Sequence, residues 1–345
     1  MLTFTIRRLV LTLPTLLVIS LVIFMLLELA PGDPMAQVPL TVPPEVKEKM
    51  REALGLGQPS HVRYLKWVYQ FFVVEPSIMI DWLTSKSTLL GWLPDTSLYG
   101  GDLRVISWQT RSPVMDIVVQ RLPQTMWVVG MGYLFGVLIA LPIGIYSAYR
   151  QYSIFDQVGT FISMVGFSVP TFFTGVLLIV VFSVNLGWFP SIYDTTLKVN
   201  SWDSFLQQAR QMVMPVTVLA LYNAAQISRF MRSSMLDNLN QDYVRTARAK
   251  GLSERVVVLV HVLRNSMIPV VTVIALGVPQ VVGGAIITEQ VFKVNGLGQL
   301  LIGAIEANDL PMVQTLTFIF ALLIVVFNLI ADVLYGIIAP RIRYD

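Results

Sequence analysis

The sequence predicts an all-α polytopic membrane protein with six transmembrane helices, both termini cytoplasmic, and a large extracytoplasmic segment between the first two helices. Three observations carry this. The chain of 345 residues is 55% hydrophobic and only 13% charged, with a mean hydropathy of +0.68, against about 25% charged residues in soluble domains. Six stretches lack any charge for 18 residues or more, the length an α-helix needs to approach the span of a bilayer core. The remaining cations collect on one side of those stretches.

In chain order, Arg7 and Arg8 precede the uncharged run 9–27. A cleavable leader would place Glu28 where a small residue is wanted before a cut after Ala30, so the run is read as an uncleaved first span. Pro31, Gly32 and Pro34 break that helix and open a polar stretch to about residue 122, with nine Lys/Arg, nine Asp/Glu and Trp67, Trp82, Trp92 and Trp108. Within it, residues 45–54 behind Pro43 and Pro44 predict a short amphipathic helix and 61–73 a second. The aromatics suit a small local core, and His61 an exposed position. The further apolar runs are 122–149, 157–193 (with 160–185 spanning), 211–228, 265–288 and 310–331. Asn295 and Gly296 signal a turn, residues 299–307 a short outer helix, and Asp309 with Pro311 the start of the sixth span. Asp332 sits near the inner end of that span, where a structural pairing with Arg341 or Arg343 is the expected role.

Orientation follows from charge. Residues 229–264 carry seven Lys/Arg against three acids, and Arg7, Arg8, Arg150, Arg341 and Arg343 fall on the same side by span count. The short loops opposite, 186–212 and 289–312, hold three Lys/Arg and five acids. The positive-inside rule puts the basic side in the cytoplasm. The expected domains are 1–30, a first transmembrane helix; 31–113, extracytoplasmic; 114–339, a five-helix transmembrane domain; and 340–345, a cytoplasmic tail.

Several chemistries are excluded. With no cysteine and only His61 and His261, neither a thiol nucleophile nor a multi-histidine metal site is available. There is no G-x-x-x-x-G-K-[ST], HExxH or G-x-S-x-G. A net charge of +3 makes no case for nucleic acid. Glycines and prolines inside the spans, among them Gly132, Gly136, Gly144, Pro170 and Gly277, are read first as close helix packing. Asn223, Gln226 and Gln280 are polar and embedded, hence candidates to line a substrate path.

The basic loop 240–269 is the most distinctive stretch. Asp242 to Gly251 reads as a short complete helix: Asp242 as N-cap, Tyr243, Arg245, Thr246, Ala247, Arg248, Ala249 and Lys250 through one to two turns, and Gly251 as a left-handed stop. Ser253 reads as the N-cap of the next helix. The charge alone would also suit a topogenic, lipid-binding loop. Asp242–Leu252 resembles the EAA loop of ATP-binding-cassette importer permeases, in the form of the dipeptide/oligopeptide/nickel family, with Arg245-Thr246-Ala247 in place of the literal Glu-Ala-Ala. Supporting matches include Arg7-Arg8-Leu9, Pro31-Gly32-Asp33-Pro34, Ser153-Ile154-Phe155-Asp156, Arg232-Ser233-Ser234, Glu289 with Gly296-Leu297-Gly298, and Asp332 to Gly336.

That resemblance implies a type I importer fold in the bacterial inner membrane and a non-catalytic permease for di- or oligopeptides. Nickel chelates, glutathione or oligosaccharides are the alternative cargoes. It implies as partners a homologous second permease, two cytoplasmic ATPases and an extracytoplasmic binding protein. No cofactor is expected in this chain; ATP and magnesium would belong to the ATPases. Asp242 to Gly251 would dock on one of them. An autonomous channel or secondary carrier is the competing reading.

Overall fold

The computed structural model describes residues 2–29, 42–53, 57–78 and 104–338, most of them helical. The helices are α1 (Leu2–Leu29), α2 (Pro44–Ala53), α3 (Ser60–Tyr69, continued by a π-helical turn Gln70–Val74), α4 (Val114–Tyr149), α5 (Ile154–Ser168) and α6 (Thr171–Leu178, continued as Ile179–Asn185). Then come α7 (Trp202–Leu239), α8 (Asp242–Ala249), α9 (Leu263–Phe292, entered through Glu254–Val256 and a π-helical stretch Val257–Val262), α10 (Leu297–Glu306) and α11 (Leu310–Ile338). Both short helices expected in the polar stretch are present, as is the outer one after Gly296. Trp82, Trp92, Arg341 and Arg343 lie outside the described residues.

Among the described residues, four helices are long and apolar enough to cross a membrane: Val10–Leu29, Val114–Tyr149, Glu254–Val278 and Leu310–Ile330. A fifth crossing is reached by joining α5 to α6. Six is not reached on these criteria, for two physical reasons. The stretch expected to span over 160–185 is bent by 104°. Pro170 lacks the N–H that would continue α5 and disfavours helical geometry before it; Val169 is accordingly extended, at φ −82° and ψ 126°. The stretch 211–228 lies inside the 38-residue α7, where Gln211, Asn223, Gln226 and Ser228 interrupt the apolar surface. The apolar helices face outward in the manner of a membrane protein. In α1, Leu13 (62%), Val18 (61%) and Leu26 (63%) are exposed, a surface that water would not tolerate as one patch.

The chain divides into two compact units. One comprises Met1–Thr12, Pro123–Gln299 and Leu322–Asp345. Its centre is the packing of α4 on α7, achieved by removing side chains. A Cβ on Gly132 would stand 2.6 Å from that of Leu219, one on Gly136 2.8 Å from that of Asn223, and one on Gly144 2.6 Å from that of Met231. With Ala140 and Ala148 buried between and beyond them, every fourth residue of α4 is small along this face, which lets the two backbones approach closely. Gly130, on the same helix, has no such neighbour. Gly144→Ala is therefore expected to destabilise the fold by about 1–3 kcal/mol through overpacking, whereas Gly130→Ala is near neutral; thermal unfolding of the two variants in detergent makes the comparison.

The start of α5 is fixed by charge. Ser153 caps it, its hydroxyl accepting from Asp156 N at 3.2 Å. The Asp156 carboxylate, 3% exposed, takes a two-pronged ion pair from Arg232 of α7 at 2.6 and 2.8 Å and accepts from Tyr152 N at 2.9 Å. A second pair joins Arg8 of α1 to Asp332 of α11 at 3.0 Å. Asp332 thus has a partner far away in sequence, while Arg341 and Arg343, its expected partners, lie outside the described residues. The end of α9 is pinned by Glu289, which is wholly buried. Its carboxylate accepts from Thr125 Oγ1 at 2.7 Å, Gly298 N at 2.7 Å and Gln299 N at 3.1 Å, while Thr125 Oγ1 accepts from Leu297 N at 2.7 Å. The carboxylate thereby satisfies the free N–H groups that open α10.

The other unit comprises Leu13–Leu122 and Leu300–Ala321. Of the tryptophans expected to form a local core in the polar stretch, Trp67 does so, with Phe71 and with Phe318 of α11, ring centroids 4.9–5.4 Å apart; Trp108 is not part of this cluster. His61 is exposed. Arg104 reaches both Glu75, at 2.8 and 3.1 Å, and Asp116, at 2.9 and 3.1 Å. Burial by itself would lower the Arg104 pKa, but these two carboxylates hold it above the ordinary arginine value. Asp309 accepts from Trp108 N at 3.1 Å, Gln109 N at 3.2 Å and the Ser107 hydroxyl, and from Met312 N at 3.3 Å in the first turn of α11.

Candidate functional site

The helix expected over the basic loop forms as α8, Asp242–Ala249. Its start differs from expectation. Gln241 occupies the N-cap, with φ −78° and ψ 152°, and no side chain caps the helix. Asp242 is the first helical residue, so it serves the helix through its charge near the positive end. It faces Arg245 at 3.5 Å, both side chains being highly exposed. Ser253 likewise stands at the N-cap position of the next helix without a capping bond from its side chain.

The far end meets expectation. Gly251 adopts φ +77°. Gly251 N donates to Arg248 O at 2.9 Å and Leu252 N to Ala247 O at 3.4 Å, the paired bonds of a Schellman stop. A Cβ on Gly251 would touch nothing, so its requirement for glycine is one of backbone conformation alone.

The two faces of α8 differ sharply. Val244 (0% exposed) and Ala247 (6%), three residues apart and so on one face, enter a core with Met231 and Met235 of α7 and with Val257, Val258 and Val262. Asp242, Tyr243, Arg245, Thr246, Arg248, Ala249, Lys250 and Gly251 are exposed. Arg248 pairs with Glu254 at 2.8 Å, the Tyr243 hydroxyl donates to Asn238 Oδ1 at 2.9 Å, and the Thr246 hydroxyl donates to Asp242 O at 3.0 Å. Of the residues singled out in the sequence, Ala247 alone points into the chain's own core. Val244 was missed; its signal was the apolar pair at i and i+3 in an otherwise polar segment.

Two of the three embedded polar residues come together. Asn223, Gln226 and Phe230 of α7 line a cleft of about 140 Å³ with Tyr133 of α4 and Gly277 of α9. Gln280 lies in α9, and its side chain is outside the described residues. No group of three or more metal-binding side chains occurs among the described residues.

The described residues form a bundle of apolar helices with a short helix, cationic on its outer face, at its surface, the make-up of a membrane protein of the transport class. The comparisons specify it further. Residues 140–344 match the model of the binding-protein-dependent transport system inner membrane component, and residues 1–82 that of the N-terminal part of the same membrane component. The chain belongs to this family, whose members are multi-pass permeases of bacterial ABC importers in the inner membrane. It is 37% identical to the oligopeptide transport system permease protein AppB of Bacillus subtilis (strain 168) over 99% of each protein. It is 36% identical to the glutathione transport system permease protein GsiC of Salmonella typhi over the full length of both. Among solved structures, the inward-facing MetNI methionine ABC transporter matches with a TM-score of 0.51 and 21% identity, over 65% of this chain and 97% of that one. An amino acid ABC transporter matches with a TM-score of 0.51 and 13% identity, over 64% and 94%. These last two speak to the fold.

Proposed function

We propose that this chain is the permease of an ATP-driven importer of short peptides, and that α8 is the element through which ATP hydrolysis in partner subunits moves the bundle. The observation that carries the mechanism is the two-faced seating of α8. A helix of this length is unstable alone, yet here it is stopped by Gly251 and seated by Val244 and Ala247 between the ends of long helices. A push on its cationic outer face would pass into α7 and α9 rather than be absorbed locally. Alternating access then requires two packings of the bundle whose balance nucleotide binding shifts.

The partners in this reading are a homologous second permease, two cytoplasmic ATPases that hold ATP and magnesium, an extracytoplasmic binding protein and the lipid bilayer. The chain itself has no catalytic role. Six crossings with both termini cytoplasmic complete the picture; the Arg8–Asp332 pair supports it by bringing the start of α1 to the late part of α11. In this reading the segment 31–113 is extracytoplasmic, on the side from which the binding protein approaches. Peptide as cargo is supported by the relatives named as oligopeptide and peptide permeases. Glutathione is the second reading, favoured by the full-length match to GsiC.

The test is ATPase activity of the complex purified through this chain and reconstituted with its binding protein, titrated with di- to octapeptides, glutathione, nickel chelates and oligosaccharides. Stimulation by peptides is the expected result. Stimulation by another cargo alone would keep the mechanism and replace the substrate, and a complex with no ATPase would end the coupling role of α8 in favour of an autonomous channel or carrier. A finer check lies at Gly251. Gly251→Val, β-branched at a positive φ, is expected to lower uptake tenfold or more. Gly251→Asn, which tolerates that conformation, is expected to stay within about threefold of wild type.

A further inference from the structure

The cleft beside Asn223 is a polar notch in an apolar bundle. Asn223 is 4% exposed. Its Nδ2 donates to Leu219 O at 2.6 Å, inside its own helix, while its Oδ1 has no hydrogen-bond partner among the described residues, and the residue lines the cleft. Gln226, three residues on and therefore on the same face, lines the cleft with an amide that bonds to nothing described in the chain. The Tyr133 hydroxyl donates to Ile274 O, which leaves its lone pairs free to accept.

The surrounding helices make room for these groups. A Cβ on Gly136 would crowd the Cβ of Asn223 at 2.8 Å, and one on Gly277 would crowd the Tyr133 hydroxyl at 2.6 Å. No lining residue is charged. Phe230 lines the notch as well. Beyond it, a second cleft of about 180 Å³ is lined by Ser233, Asp237 and Pro269.

An amide oxygen that no described group of the chain satisfies, on a residue lining an uncharged cleft, is free to accept from a ligand there. The ligand is small at the point of contact: about 140 Å³ compares with roughly 300–1,000 Å³ for sites that enclose a whole drug-sized molecule. An uncharged acceptor beside an uncharged amide, in a notch of that size, matches a single peptide group. We propose that this notch is a main-chain binding site for the peptide in transit. Asn223 Oδ1 accepts from a peptide N–H, and the Gln226 amide donates to the neighbouring carbonyl. Such contacts are available to every peptide whatever its side chains, so this chain would hold cargo without selecting sequence. The proposal rests on the peptide reading above and adds to it the atoms that make contact.

The absence of cysteine allows a direct test. Phe230→Cys places a single thiol of this chain in the lining of the notch and leaves both amides in place. In the complete transporter in proteoliposomes, with binding protein and ATP, trialanine is expected to slow modification of that thiol by a small methanethiosulfonate at least threefold. The protection is expected to vanish when Asn223→Leu or Gln226→Leu is added, and a thiol at exposed Leu138 of α4 should be unaffected by peptide throughout. Absence of protection in Phe230→Cys, or protection that survives both leucine variants, would overturn the proposal. Should Asn223→Leu fail to assemble, Gln226→Leu decides. Trialanine uptake by the unaltered complex separates the two levels: if it occurs and protection does not, the notch alone is wrong; if it does not occur, the peptide reading fails and the notch with it.

Discussion

Ala247→Glu is expected to abolish uptake, by a hundredfold or more, and to do so within this chain before any partner is involved. Ala247 is 6% exposed and packs with Val244 against the ends of two long helices. A carboxylate there would be buried without a cation, a defect of about 3–5 kcal/mol. An eight-residue helix has no stability of its own to set against that. The consequence is an unseated α8, visible in the isolated subunit as faster tryptic cleavage at Arg248 and Lys250. Ala249→Trp, at an exposed position on the same helix, is expected to depress uptake with the tryptic pattern unchanged, because it obstructs only what approaches from outside. Equal protease resistance in Ala247→Glu and wild type would refute the seating argument.

The second large effect belongs to Glu289. Replacing it with alanine removes the acceptor of three donors, Thr125 Oγ1, Gly298 N and Gln299 N, in a wholly buried place. Each donor left unsatisfied costs about 1–3 kcal/mol, so Glu289→Ala is expected to yield little monodisperse protein after mild heating in detergent. Glu289→Gln retains an acceptor for Thr125 but turns an NH₂ toward backbone N–H groups, and is expected to recover only part of the loss. Gly298→Ala should fail at the same corner for a steric reason: its Cβ would lie 2.5 Å from Ile286 Cα, backbone that has no rotamer to move aside. Normal thermal stability of Gly298→Ala would show that the corner is looser than these distances imply.

What the sequence revealed and what it hid divide along local and distant causes. The stop at Gly251 was legible because a left-handed residue is a property of one position. The break at Pro170 was not, because whether a proline kinks or ends a span depends on what the two halves pack against; the sequence predicts one span over 160–185, with Pro170 as a helix-packing residue. The cap of α8 was misplaced by one residue because the chain leaves α7 through Asn240 and spends its extended residue on Gln241, a matter of connection rather than of preference. That Ala247 faces inward and Ala249 outward depends on Met231, Met235 and Val257, none of which is adjacent in sequence. The pairing of Asp332 with Arg8 joins opposite ends of the chain, beyond the reach of any window. Asn223 and Gln226 were identifiable as polar and embedded; that they share one cleft with Tyr133 follows from the glycines that let three helices meet there.

The small-residue face of α4 has the same period as the large residues it receives: Gly132, Gly136, Ala140, Gly144 and Ala148 against Leu219, Asn223, Ile227, Met231 and Met235. Two combs with equal tooth spacing fit equally well after sliding by one tooth, here one helical turn of about 5.4–6 Å. Steric fit alone therefore leaves the vertical alignment of α4 and α7 nearly degenerate. The alignment must be stored in a feature that does not repeat: the Asp156–Arg232 ion pair, which reaches α7 from one tight turn beyond the end of α4. A variant lacking it would keep a well-packed seam and lose its address along it.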